Sequence, residues 1–285
     1  MVEVDPAGVT VYARGVRPRR LAVAVLAAVL AGAGAGCGGD EREDVEAYIA
    51  RLNMAQQQEL VPLTQAAAAY REFSTERAAL ERLRPRLAEA ERVFVRLARR
   101  IDALDPPPAA RRLHERVGRL SAAQIALSAE LHDAATYLLA FDDALAGLGP
   151  AQRRFGRELA AAETAEAQAA ALDRLAAAVA AAAADVRALD APPVLQGVDR
   201  TQLETLDRIA RTARELARGI RRGGDGRDLP PLVQRFANAP LAGSSTAAQR
   251  LRIAAVRAYN RRVAEVQELA AEVERERLRL QDTLD

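Results

Sequence analysis

Apolar side chains separated by steps of three and four residues run through most of this chain, and that spacing leaves it essentially one way to bury its hydrophobic surface. From Leu80 the series continues through Leu83, Leu87, Ala90, Phe94, Leu97, Ile101 and Leu104. A second series joins Leu113, Val117, Leu120, Leu127, Leu131, Ala134, Leu138, Phe141, Leu145 and Leu148, with the polar Gln124 interrupting it. A third, within 245–284, joins Val256, Val263, Val266, Val273, Leu280 and Leu284. On an α-helix such steps place the side chains in one stripe, and stripes of this kind pack against one another as a bundle. No segment shows sustained period-two alternation, so no sheet is expected. The expected fold is all-α: an elongated antiparallel bundle of about five to six long helices.

Composition agrees with that reading. Half of the 285 residues are hydrophobic but only 4% are aromatic, and 66 are alanine. Alanine is the best helix former, and its small side chain lets neighbouring helices approach closely. The alanine-rich run 160–184 therefore reads as packed helix. Membrane insertion does not suit it, because Glu163, Glu166, Asp173, Arg174 and Asp185 interrupt it and charges are costly at a bilayer centre.

Proline and glycine divide the pattern. Asp105-Pro106-Pro107-Pro108 and Asp190-Ala191-Pro192-Pro193 each stop one helix and open another, since Pro fits a first turn but not an interior. Leu148-Gly149-Pro150 separates two long helices, and loops are expected at 221–231 and 238–245. Pro62 predicts a kink and Pro85 a helix start. The two Pro-rich turns are related: Ala103-Leu104-Asp105 and Ala188-Leu189-Asp190 lie 85 residues apart, and the same offset aligns Ile101 with Val186 and Leu113 with Val198. Two helical hairpins of one type, joined by Pro-rich turns, are expected.

The amino-terminal region carries a different signal. Arg14, Arg17, Arg19 and Arg20 precede an apolar run, 21–31, then Gly32-Ala33-Gly34-Ala35-Gly36-Cys37. A basic region, an apolar stretch of about ten residues and small residues before a cut are the parts of an export signal. The run falls short of the roughly 20 residues a membrane span needs. Residues 1–16 exceed an ordinary basic region, and Val9 or Val16 fits the start of translation as well as Met1 does. Gly34-x-Gly36-x-x-Gly39 matches a dinucleotide-binding loop by letter only, because no strand precedes it.

Ala35, Gly36 and the sole cysteine, Cys37, resemble the lipobox of bacterial lipoproteins, in which small residues precede a lipid-bearing cysteine. Gly34 stands where that family usually has Leu or another aliphatic residue. The resemblance implies that residues 1–36 are a signal peptide cleaved after Gly36. It also implies that Cys37 bears the lipid, and that the protein is anchored at the extracytoplasmic face of the cell membrane. The Leu-x-x-Pro-Pro connectors at Leu104 and Leu189, with the arginine-only, alanine-heavy composition, are similar to those of uncharacterised all-helical lipoproteins of GC-rich bacteria, to which no activity is assigned. Residues 37–44, glycine-rich and charged, then read as a flexible tether, and 45–285 as a single helical-bundle domain. The four leader arginines outnumber Glu3 and Asp5 by the whole formal charge of +2. The remainder is therefore neutral, and the sequence pI near 9.0 belongs to the leader.

Little in the chain points to chemistry. One Cys excludes an intrachain disulfide framework, two His cannot form a histidine-rich metal centre, and the absence of Lys removes Schiff-base chemistry. His114 and His132 lie about 27 Å apart on one predicted helix. His114-Glu115-Arg116-Val117-Gly118 has Gly where a zinc-protease helix needs its second His. Ser244-Ser245 has no recognisable base nearby in sequence. No catalytic, cofactor-binding or metal-binding residue is expected, and no enzyme. Arginines alternating with carboxylates, as in 261–265 and 272–277, read as solvated helix faces rather than a nucleic-acid surface. Two roles fit these features. One is a lipid-anchored structural or protein-interaction module of the cell envelope, its partner unknown. The other is a small-ligand-binding or sensory bundle, with Gln124, Tyr137 and Phe141 as the polar and aromatic lining.

Overall fold

A computed structural model describes residues 40–223 and 243–284; residues 1–39, which include Gly36 and Cys37, and residues 224–242, which hold most of the two expected loops at 221–231 and 238–245, lie outside the described residues. Every described element is helical: α1 (Asp40–Gln58), α2 (Leu60–Arg71), α3 (Arg77–Asp102), a 3-10 turn at Pro108–Ala110, α4 (Arg111–Leu145), α5 (Leu148–Ala160), α6 (Ala165–Arg187), α7 (Gln196–Arg221) and α8 (Gly243–Leu284). Only Glu59 separates α1 from α2, so the described residues make seven helical rods, the first of them bent. That exceeds the expected five to six, because the alanine-rich run hides the break at 161–164 that separates α5 from α6.

The seams are the core. All ten named positions of the second series are buried, as are those of the first except the half-buried Leu104. In α8, Val263, Val266, Val273 and Leu280 are buried. One continuous hydrophobic cluster runs from Val45 to Leu280.

Both Pro-rich turns close antiparallel hairpins, α3/α4 and α6/α7. Their equivalence extends to the helix ends: Asp102 and Arg187 end their helices, and Arg111 and Gln196 begin the next, each pair at the same offset of 85. The caps also match, with Leu104 N–H donating to Ile101 O at 2.9 Å and Leu189 N–H to Val186 O at 3.0 Å.

Cross-helix ion pairs fix the remaining directions. Arg116–Glu272 (3.3 Å), Arg262–Glu130 and Arg252–Asp142 (2.8 Å) run α8 antiparallel to α4. Arg174–Glu158 (2.9 Å) pairs α6 with α5. Tyr137, near the end of α4, bonds Asp199 at the start of α7, so the α6/α7 hairpin docks by its turn on the last turns of α4. With α5, which follows directly from α4, this hairpin forms an arm extending past the end of α4. At 1.5 Å per residue α4 is about 52 Å long and α5 about 20 Å. Helix α1 lies at the opposite end, packed on the 3-10 turn and on α3.

Four local expectations are corrected. Residues 40–44, expected within the flexible tether, are helical; Glu41, Glu43 and Asp44 suit the positive end of a helix dipole, and Arg42 bridges to Glu46 at 3.0 Å. Pro85 lies inside α3 rather than at its start. It sits on the exposed face, where water can take the Glu81 carbonyl it leaves unpaired, while Leu83 and Leu87 bury on the other side. The alanine-rich run breaks at 161–164, where the Thr164 hydroxyl accepts from Ala167 N–H at 3.1 Å and starts a new helix. Residues 243–245, expected in a loop, begin α8. Pro62 does kink its segment: the break falls at Glu59, beside the Gln58 carbonyl that a residue lacking N–H at position 62 leaves without its helical partner.

Leu127, fully enclosed in α4, should cost about 2–5 kcal/mol on replacement by Ala, and Thr164→Ala about 1 kcal/mol through loss of the cap. Urea unfolding followed by helical circular dichroism measures both.

Candidate functional site

The apolar seams enclose a few polar side chains, and these are where any chemistry of the described residues would reside. On α4, Ser121 and Ser128 face inward. The Ser128 hydroxyl donates to Gln124 O at 2.8 Å and also meets the Tyr70 hydroxyl of α2. Tyr259 of α8 donates to Tyr70 O at 3.0 Å. The Tyr70 ring stacks on Phe94 of α3 at 6.2 Å between centroids, and Phe73 on Tyr259 at 4.9 Å. Four helices thus meet in one aromatic cluster whose hydroxyls are satisfied, which is what lets tyrosine be buried without net cost. Burial pushes the Tyr259 phenol up to about 12 and Tyr70 still higher.

A second cluster sits where the arm meets the body. The Tyr137 hydroxyl donates to Asp199 Oδ1 at 2.5 Å, and its ring lies 5.9 Å from that of Phe141. Burial first, then the adjacent carboxylate, raises the Tyr137 phenol far above its ordinary value. One turn beyond Asp199 stands Gln202, only 4% exposed, whose Nε2 has no hydrogen-bond partner. Of the residues considered for a ligand lining, Tyr137 and Phe141 are buried against each other and Gln124 is only half-buried on α4. The structure does not bring Gln124 together with the other two into one lining. Asp199 and Gln202 lie outside the expected sites; nothing in their local sequence marks them, and the partner of Asp199, Tyr137, stands on α4, far away in the chain.

The histidines stay apart on α4. His114 Nδ1 and the buried Tyr48 hydroxyl of α1 share a hydrogen bond of 3.0 Å, which ties α1 to the body. His132 Nδ1 lies 3.6 Å from Asp133 Oδ1, partly exposed. Burial lifts the Tyr48 phenol to about 12. Among the described residues no group of three or more His, Cys, Asp or Glu could hold a metal ion, and no helix is long and apolar enough to cross a membrane. Cys37 and Gly36 are outside the described residues, and Ser244 and Ser245 have only their helical backbone described.

Charges that the packing encloses are compensated. Glu59, at the bend between α1 and α2, meets Arg96 at 3.5 Å and Arg100 at 3.3 Å. Glu276, near the end of α8, meets Arg279 at 2.6 Å and Arg116 at 3.6 Å. Arg279 holds the Glu276 carboxyl below its ordinary range. These pairs tie the α1–α2 bend to α3 and the end of α8 to α4.

No family model matches the chain, and comparison with curated proteins and with solved structures gives no match.

Two outcomes are expected. Tyr48 and Tyr259 should ionise near pH 12 in the fold but near 10 when unfolded. The folded chain therefore binds more protons above pH 10, so stability is full below that value and declines as pH rises towards 12. Tyrosinate absorbance and helical circular dichroism should change together across that window. Gln202→Leu removes a buried, unpaired amide and should raise stability by about 1 kcal/mol, read as a higher urea midpoint.

Proposed function

We propose that this chain is a lipid-anchored protein of the extracytoplasmic face of the cell membrane, serving as a structural or protein-interaction module of the cell envelope. The observation that carries this reading is the position of the sole cysteine. Cys37 closes an export-type leader and stands three residues before α1 begins. A connection that short spans roughly 10 Å, so a lipid on Cys37 would hold the α1 end of the bundle close to the bilayer. The α5–α7 arm would then be displayed at the far end. Each buried CH₂ of the lipid contributes about 0.8 kcal/mol, so more than one acyl chain anchors firmly. The helical seams and the compensated interior charges fit a scaffold better than a reaction centre. No nucleic-acid partner and no cofactor belong to this reading; the envelope partner is a protein of unknown identity.

A second reading, a bundle that senses or holds a small ligand, rests on the unpaired amide of Gln202. The two readings differ in the sign of the Gln202→Leu effect. A gain in stability means the amide has nothing to bind, whereas a loss means that it serves an acceptor.

Expression in a bacterial host with lipoprotein processing, followed by intact mass, tests the anchor. The expected product begins at Cys37, carries fatty acyl chains and partitions into detergent. Inhibition of lipoprotein signal peptidase should retain residues 1–36, and Cys37→Ser should abolish acylation. An unmodified chain beginning elsewhere overturns the reading.

A further inference from the structure

The outer face of the bent rod α1–α2 is nearly free of charge. Residues 47–70 hold only Arg51 and Glu59, in a chain that is 28% charged, and Glu59 turns inward to Arg96 and Arg100 of α3. Among the described helices only the middle of α4, residues 120–141 with Glu130 and Asp133, is as poor in charge, and that helix is enclosed. The buried positions Leu52, Gln56, Glu59, Leu63, Ala66 and Tyr70 run through the bend at steps of three and four, so the opposite stripe is continuous as well. It consists of Ala47, Ala50, Met54, Gln57, Val61 and Thr64, all exposed and spaced like the seam of a coiled coil. Of the five large apolar residues exposed among the described residues, three lie on or beside it: Met54, Leu60 and Val61. Arg51 borders it on the edge towards α3, where Gln58 accepts from Arg100.

The two ends of this stripe carry opposite charge. Residues 40–46 contain five carboxylates and one arginine. Arg42 is held by Glu46 at 3.0 Å, while Glu43 and Asp44 are exposed. At the other end Arg86, Arg71 and Arg82 gather around Glu72 and hold its carboxyl below its ordinary value. Two such rods laid antiparallel bring unlike ends together, whereas laid parallel they bring like ends together, which is unfavourable. A bilayer suits the stripe less well. Anionic headgroups repel the carboxylates at 40–46, and Gln57 and Thr64 would give up water without gaining partners.

We propose that this face pairs with the same face of a second copy of the chain, the two α1–α2 rods lying antiparallel about a two-fold axis. One register serves the whole stripe: with Gln57 against Gln58 at the axis, Met54 meets Val61, Ala50 meets Gln65 and Asp44 meets Arg71, each contact made twice. The pairing does not depend on the anchor at Cys37. It is tested on the full chain carrying Cys37→Ser, so that each introduced cysteine is alone, with a short bismaleimide as crosslinker. Gln57→Cys, at the axis, should link to itself. Ala50→Cys should link to Gln65→Cys when the two proteins are mixed but not to itself, because its own counterpart lies about 22 Å along the rod. Met54→Glu with Val61→Glu should weaken self-association by about tenfold or more in sedimentation velocity. Leu159→Glu with Leu278→Glu, at the other two exposed apolar residues, should change it by less than about twofold. Asp44→Arg and Arg71→Asp should each weaken it and together restore it. Helical circular dichroism confirms that the variants fold; if the Met54 and Val61 pair does not, Met54→Gln with Val61→Thr takes its place and should show a smaller loss in the same direction. Absence of self-association, self-linking of Ala50→Cys as strong as its linking to Gln65→Cys, or equal loss in the two glutamate pairs overturns the proposal. So does a chain that stays single in solution but binds phosphatidylcholine vesicles through Met54 and Val61.

Discussion

Burial of helix α4 on several sides at once is the constraint from which the rest of the structure follows. Its apolar positions from Leu113 to Leu145 pack against α3 on one side and α8 on another, and its last turns receive the arm. A helix enclosed in this way must satisfy its inward polar groups internally, because water cannot reach them. Ser128 does so with its own helix through Gln124 O and with Tyr70 across the interface. Tyr137 does so with Asp199. The bonds to Tyr70 and Asp199 join α4 to helices remote in sequence, so satisfying the central helix also positions its neighbours.

Electrostatics adds to this packing. Along the body, arginines and carboxylates such as Arg116 and Glu272, Arg262 and Glu130, and Arg252 and Asp142 face each other across helix boundaries, and their pairing adds register more than stability, since exposed pairs contribute little individually. On the arm, Arg221 does the same with Glu166 and Asp173 of α6.

How much of this was legible in the sequence varies from residue to residue. The spacing of Leu83, Leu87 and Phe94, or of Leu131, Ala134 and Leu138, identifies the buried face directly, since a helix permits only one face for that spacing. The turns at Pro106 and Pro192 are equally plain. Pro85 misleads, because its effect depends on whether the carbonyl it leaves unpaired faces water or core. The break at Thr164 is missed, because strong alanine propensity hides a cap.

By itself, the sequence determined that the described residues are helical, which faces are buried and where the hairpins turn. All of these depend on local spacing, propensity and composition, which a short window contains. Only the tertiary structure decided that α1 lies at one end and the α5–α7 arm at the other. It alone decided which tyrosine meets which acceptor, and that Gln202 is enclosed without a partner. Those facts depend on contacts between residues far apart in the chain, and several packings of the same amphipathic helices satisfy the same pattern until the side chains themselves interlock.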